Sequence, residues 1–143
     1  MPDKHQKKLG RLLRVRTLQL DMVRASEVAA HQKVTNEEAL RIRIAQLAQG
    51  VAPAPAPKPG SATSLTAAAH YRERLHESAF AAERRIAEAR RGLDSARAAT
   101  REAKRDQTAI EKLIERAEAN AARKAMRALE DMPAIPRKRH DPC

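Results

Sequence analysis

The chain has 143 residues, and its 29 Lys and Arg against 18 Asp and Glu give a formal net charge of +11. Only 24 residues are Leu, Ile, Val or Phe while 30 are Ala, so a thick globular core around an enclosed active site is excluded. Such a composition is typical either of a disordered chain or of a long helix, and only strict periodicity favours the helix.

The first predicted element is a helix over residues 3–50. Its apolar residues recur at steps of three and four, which places them on one helical face. The step from Ala29 to Leu40 is eleven residues, with Lys33 and Asn36 between them, and predicts a local change in supercoil phase. The predicted face consists of Leu12, Val15, Leu18, Met22, Ala25, Ala29, Leu40, Ile44, Leu47 and Val51.

Residues 51–61 form the next segment, an Ala-Pro repeat with prolines at Pro53, Pro55, Pro57 and Pro59. Proline lacks a backbone N–H and disfavours the helical conformation of the residue before it. The segment is therefore predicted to be a stiff, extended linker.

The second predicted helix spans residues 62–131, and its pattern of alternate three- and four-residue steps has no slip. We expect this face to contact the first helix. Its members are Leu65, Ala68, Arg72, Leu75, Ala79, Ala82, Ile86, Ala89, Leu93, Ala96, Thr100, Ala103, Gln107, Ile110, Ile114, Ala117 and Ala121.

Two helices joined by a short linker predict an all-α fold, a long antiparallel two-helix coiled-coil hairpin over residues 1–131. Residues 132–143, with three prolines and three consecutive basic residues, are predicted to form a disordered basic tail. If Leu47 faces Leu65, the first helix ends opposite residue 104. Residues 105–131 would then overhang and need another partner, and the choice between one paired chain and two stays open.

No catalytic constellation is present in the sequence. His70 and His76 are six residues apart and so do not share a helical face as metal ligands would, and no glycine-rich phosphate loop occurs. We therefore expect a protein that is not an enzyme and uses no cofactor or metal. The single cysteine, Cys143, and the lack of a long apolar run predict a cytoplasmic protein that does not insert into a membrane.

The basic excess is concentrated near the two ends of the chain, in residues 4–16 and 137–139, and is otherwise interleaved with acidic residues. No aromatic side chain accompanies these basic residues for base stacking, so a nucleic-acid partner is not expected. A basic hairpin associated with nucleic acid or ribosomes remains an alternative. Tyr71 lies off the predicted seam and should be partly exposed, either as a staple of the hairpin end or as a partner anchor.

Three segments resemble the FliJ family, the soluble stalk proteins of the flagellar type III export apparatus. They are KKLGRLLRVRTLQLDMVRASEVAA, HYRERLHESAFAAERRI and REAKRDQTAIEKLIERAEANAARKAMRALEDM, and the resemblance covers about residues 7–131. It implies a coiled coil whose terminal end enters the hexameric ring of the export ATPase. Another region would contact the cytoplasmic domain of the export gate and escort export chaperones, on the cytoplasmic face of the inner membrane at the flagellar basal body. A stalk or scaffold of another type III secretion system is the alternative.

The resemblance also implies site residues. The gate-binding strip would match Tyr71, Leu75, Ser78 and Ala82, although Ser78 and Ala82 depart from the residue character of the family. The end that faces the ATPase ring would comprise Leu9, Leu12, Leu13, Arg14, Arg16, Lys124 and Arg127. The proline-rich linker is a further departure from the family pattern.

Overall fold

The computed structural model describes residues 4–51 and 62–133, and side chains within these ranges except those of residues 62–64. Two helices make up almost all of this part of the chain: α1 spans Lys4–Gly50 and α2 spans Ala62–Glu130, where the sequence predicted 3–50 and 62–131. The prediction of an all-α chain with two helices is confirmed. The predicted linker and basic tail lie almost entirely outside the described residues.

The chain divides into two units, each made of one segment from either helix. Unit 1 comprises Met1–Thr17 and Arg105–Cys143, and unit 2 comprises Leu18–Lys104. The sequence predicted a single hairpin over residues 1–131. Over the described residues, neither helix has an apolar stretch long enough to cross a bilayer.

In unit 2 the two helix segments pack in antiparallel directions around small apolar clusters. Val34 packs with Ala89 and Leu93, and Ile44 packs with Leu75 and Ala82. Ion pairs join the helices of this unit, and their α2 members lie between Arg97 and Glu83 as their α1 members run from Glu27 to Arg41, as antiparallel segments require. The pairs are Glu27–Arg97, Glu37–Arg85, Glu38–Arg90 and Arg41–Glu83.

In unit 1 the start of α1 covers the part of α2 that was predicted to overhang. Leu9 and Ile110 are buried, and Ile114 is half-buried. Arg16 Nη1 donates a hydrogen bond to Asp106 Oδ2 at 3.0 Å. The predicted overhang from residue 105 is therefore wrong, because it took Leu47 and Leu65 as facing residues and both are exposed. Exposure is continuous only from Glu118 onward.

The predicted contact face of α2 is confirmed from Ala68 to Ala117, since every predicted position in that interval is buried or half-buried. Alanine at many of these positions lets the two backbones approach closely, although each contact buries little area. The two outermost predicted positions, Leu65 and Ala121, are exposed.

The predicted contact face of α1 is wrong. Most of its members are exposed, and Leu18 keeps 63% of its surface accessible. Of that face only Ile44 is buried and Val51 half-buried. The contact positions of α1 instead follow regular steps of four and three with no eleven-residue break. The predicted change of supercoil phase is therefore also wrong. The contact positions are Leu9, Leu13, Arg16, Leu20, Val23, Glu27, Ala30, Val34 and Glu37.

The physical reason for this error is the polar character of the true seam. Arg16, Glu27 and Glu37 occupy seam positions, and each forms an ion pair with a residue of α2. A search for apolar periodicity passes over such positions. It finds instead the exposed stripe that contains Leu18 and Met22, which has the same three-and-four spacing on the other side of α1.

Candidate partner-binding surfaces

The first turns of α1 present a basic surface in unit 1. From Lys4 to Arg16 the helix carries six Lys or Arg and no Asp or Glu. Five of the six lie within about one third of the helix circumference at 100° per residue, on the side away from buried Leu9. All five are exposed, and none forms an ion pair with another described residue. They are Lys4, Lys7, Lys8, Arg11 and Arg14.

Arg16, the sixth basic residue, has a different environment. It is half-buried, and its guanidinium bonds to Asp106. Next to it Thr17 Oγ1 accepts a hydrogen bond of 3.2 Å from Gln107 Nε2. Arg16 therefore joins the two helices, and its charge is not free for a partner as that of Arg14 is.

The remaining residues predicted to face the ATPase ring also lie in unit 1, but they divide into core and surface. Leu9 is buried and Leu13 half-buried, so both belong to the contact between the helices. Leu12, Lys124 and Arg127 are exposed, as is Arg14. Unit 1 thus contains all seven predicted residues, of which four present a side chain to solvent.

The residues predicted to form the gate-binding strip lie in unit 2 and do not form one exposed strip. Leu75 and Ala82 belong to the core cluster around Ile44, and Ala82 has no accessible surface. Tyr71 is 45% exposed, which confirms its predicted partial exposure, and Ser78 is exposed. Tyr71 and Ser78 lie at an edge of α2, whereas Leu75 and Ala82 lie on its contact face, so only half of the predicted strip faces solvent.

Tyr71 and Ser78 share one edge of α2. They lie fourteen and seven residues before Arg85. In a helix that pairs with the coiled-coil period, residues seven apart lie on the same side. Arg85 Nε donates a hydrogen bond of 3.0 Å to Glu37 Oε2 of α1. This edge therefore borders α1 at the level of Arg85.

Phe80 is an exposed aromatic residue that the sequence analysis did not single out. It retains 72% of its accessible surface and lines a shallow depression with Glu77 and Arg84. Its signal in the sequence is the same as that of Tyr71, an aromatic residue off the seam of α2. Exposed Phe80 is thus a second aromatic anchor candidate in unit 2.

Two grooves run along opposite edges of the helix pair in unit 1. The larger has a volume of about 550 Å³, and its walls include His5 from α1 and Leu113, Arg116 and Lys124 from α2. The smaller has a volume of about 220 Å³ and contains Glu118. Neither groove was predicted, because both depend on the register between the helices.

The described residues include no group of three His, Cys, Asp or Glu side chains placed to hold a metal ion. His70 Nδ1 lies 4.0 Å from Glu73 Oε2 on the surface of α2, one turn along the same helix.

No protein-family model, curated protein or solved structure matches the chain. The candidate sites are therefore the basic surface and the two grooves of unit 1 and the exposed aromatic residues of unit 2.

Proposed function

We propose that this chain is a non-enzymatic antiparallel coiled coil that works by binding protein partners, as a stalk of the flagellar export apparatus. The observation that carries the proposal is the basic end in unit 1. There the start of α1 pairs with α2 and leaves five cationic side chains, among them Lys7 and Arg11, exposed and without ion pairs to described residues. The resemblance to the FliJ family supplies the export ATPase ring as the partner of that end.

The coiled-coil part of the proposal is supported by the spacing of covered residues. In both helices the contact positions recur at alternate steps of three and four, the period of a left-handed coiled coil. At Glu27 and Glu37, polar seam residues bond across the helix pair, which fixes register at little cost in stability.

Charge would govern the first step of partner binding. Exposed Lys and Arg side chains attract an acidic protein surface over about 8 Å at physiological ionic strength and raise the rate of association. Such an end would associate quickly with an acidic surface of the ring. The proposed contact should therefore weaken as salt concentration rises.

The contact with the export gate is proposed to use the exposed part of the predicted strip. Tyr71 and Ser78 are the members available to a partner, while Leu75 and Ala82 support them from the core. Binding of export chaperones and peripheral association with the cytoplasmic face of the inner membrane belong to the same proposal. A stalk in another type III secretion system would use the same end.

The test is stimulation of ATP hydrolysis by the purified full-length chain, measured on flagellar and virulence-type export ATPases. Reversing the charge of Lys7, Lys8, Arg11 and Arg14 to Glu should abolish stimulation, since these exposed residues form the basic surface. The ATPase that responds to the unaltered chain identifies the secretion system.

The matched control reverses four exposed arginines of unit 2, which changes the net charge by the same amount. These are Arg24, Arg84, Arg91 and Arg101. The control should stimulate like the unaltered chain, and circular dichroism should show equal helicity for both variants. Full stimulation by the unit 1 variant would contradict the proposal, as would no stimulation of either ATPase by the unaltered chain.

A further inference from the structure

The larger groove of unit 1 has the dimensions of a binding site for a helix. Its α2 wall extends from Leu113 to Lys124, about 17 Å or three helical turns at 1.5 Å per residue. Ala117 and Ala121 lie between these two residues, and α1 closes the upper part with His5 and Gln6. The groove is therefore long and open, unlike an enclosed pocket for a small molecule.

The groove combines an apolar floor with room for inserted side chains. Leu113 is 44% exposed although it lies beside the buried seam residue Ile110 on the next turn. Ala117 is half-buried, and Ala121, one step further along the seam, is exposed. Because alanine fills little space, apolar side chains of a third helix could pack here between Leu113 and the end of the seam.

The walls of this groove are cationic. Arg116 and Lys124 line it, and no carboxylate of the described residues does. Both Arg116 and Lys124 are exposed and form no ion pair with another described residue. The groove thus offers two strong positive charges about two helical turns apart.

The opposite edge of unit 1 has a different charge. The smaller groove contains both Lys7 and Glu118. Glu111 and Glu115 precede Glu118 at steps of four and three, so the three carboxylates lie on one side of α2. The carboxylates of this part of α2 are therefore segregated from the larger groove, and an anionic partner is directed to one edge.

We propose that the larger groove of unit 1 binds an acidic amphipathic helix of a partner protein. The apolar face of that helix packs on Leu113, Ala117 and Ala121, and its carboxylates bond to Arg116 and Lys124. The inference rests on the proposed function in taking unit 1 as the partner-binding end, but not on the partner being an export ATPase. A second copy of the chain fits less well, because it brings a net charge of +11 to a cationic groove. A nucleic acid fits less well because the floor is apolar.

The experiment uses a fluorescent synthetic helix as the probe, about three heptads long, with Leu at the core positions and Glu beside them. Its binding to the full-length chain is measured by fluorescence anisotropy. A peptide of the same composition in scrambled order, which forms no apolar face, should bind at least about tenfold more weakly. Equal binding of the two peptides would contradict the helix assignment.

The groove variant is Arg116→Glu with Lys124→Glu, and we expect it to weaken binding of the probe helix by about tenfold or more. The matched control is Arg105→Glu with Lys112→Glu, which reverses two exposed basic residues of the same unit outside the lining of the groove. The control should change the affinity by less than about threefold, as expected for screened surface charges. An equal loss in both variants would indicate nonspecific attraction and overturn the proposal.

Two further outcomes assign the groove to another occupant. A dimer in sedimentation experiments that the groove variant dissociates would assign it to a second copy. A duplex DNA probe that competes with the helix and is lost in the same variant would assign it to a phosphate backbone. If the probe helix fails to bind while the chain still stimulates an export ATPase, this inference fails and the proposed function stands. If the probe helix binds and no export ATPase responds, the proposed function fails and this inference stands.

Discussion

Single polar residues fix how α1 lies on α2. Arg16, Glu27 and Glu37 sit at covered positions, with partner distances of 3.0, 3.9 and 3.0 Å. Partly exposed ion pairs of this kind contribute at most about 1 kcal/mol each. Their larger effect is on register, since a slip by one heptad would leave a half-buried charged group without its partner, at a cost of about 1–3 kcal/mol.

Leu20 and Leu18 provide the residue-scale prediction, because they are the same residue type two positions apart on opposite sides of α1. Leu20 is 1% exposed and Leu18 is 63% exposed. Leu20→Ala should lower the free energy of unfolding by about 2–4 kcal/mol through lost burial and a residual cavity. Leu18→Ala should change it by less than about 0.5 kcal/mol. Urea denaturation followed by circular dichroism measures both, and a larger loss for Leu18→Ala would contradict the observed seam.

At the scale of the element, the two helices differ in how much of them can be predicted. The ends of both helices can be predicted from glycine and proline. For example, α1 ends at Gly50, shortly before the prolines of the linker. The face of α2 follows from periodicity because its seam is almost entirely apolar or alanine, with Arg72, Thr100 and Gln107 as exceptions. In such a helix the apolar positions and the contact positions coincide.

The face of α1 could not be predicted by the same argument. Two stripes with equal period run along this helix, and the exposed one, which includes Leu18 and Met22, carries as many large apolar residues as the covered one. Periodicity identifies a helix but does not choose between two faces, and only the contact with α2 makes that choice. The same limit applies to the site. The basic run from Lys4 to Arg16 is evident in the sequence, whereas the groove with Arg116 requires the register.

The register of unit 2 gives the element-scale prediction. In a Cys143→Ser background, Val34→Cys with Ala89→Cys should form a disulfide, because these residues share one core cluster. The control pair is Val34→Cys with Ser78→Cys, which would face each other if Leu47 lay opposite Leu65, and it should not close. Mobility on a non-reducing gel reports the cross-link, and circular dichroism checks that helicity is retained. Closure of the control pair alone would contradict the register.

At the scale of the whole molecule, the distribution of charge separates the two units. The described residues of unit 1 contain twelve Lys and Arg, six from each helix, against six Asp and Glu, five from α2 and Asp131 directly after it. The described residues of unit 2 contain thirteen Lys and Arg against ten Asp and Glu, and several of these are joined in ion pairs between the helices. Several charged side chains of unit 2 thus pair between its helices, whereas most charged side chains of unit 1 are exposed. Because of this difference we propose unit 1 as the end that contacts the ATPase.

Site-specific photo-cross-linking tests the proposed contact between unit 1 and the export ATPase. A benzophenone amino acid replaces Arg11 in unit 1 or, as the control, Arg101 in unit 2; both positions are exposed, so neither replacement disturbs the seam. Each full-length variant is mixed with the export ATPase that the unaltered chain stimulates, and irradiated. We expect a cross-link to the ATPase from position 11 and none from position 101. A cross-link from position 101 with none from position 11 would contradict the proposed contact.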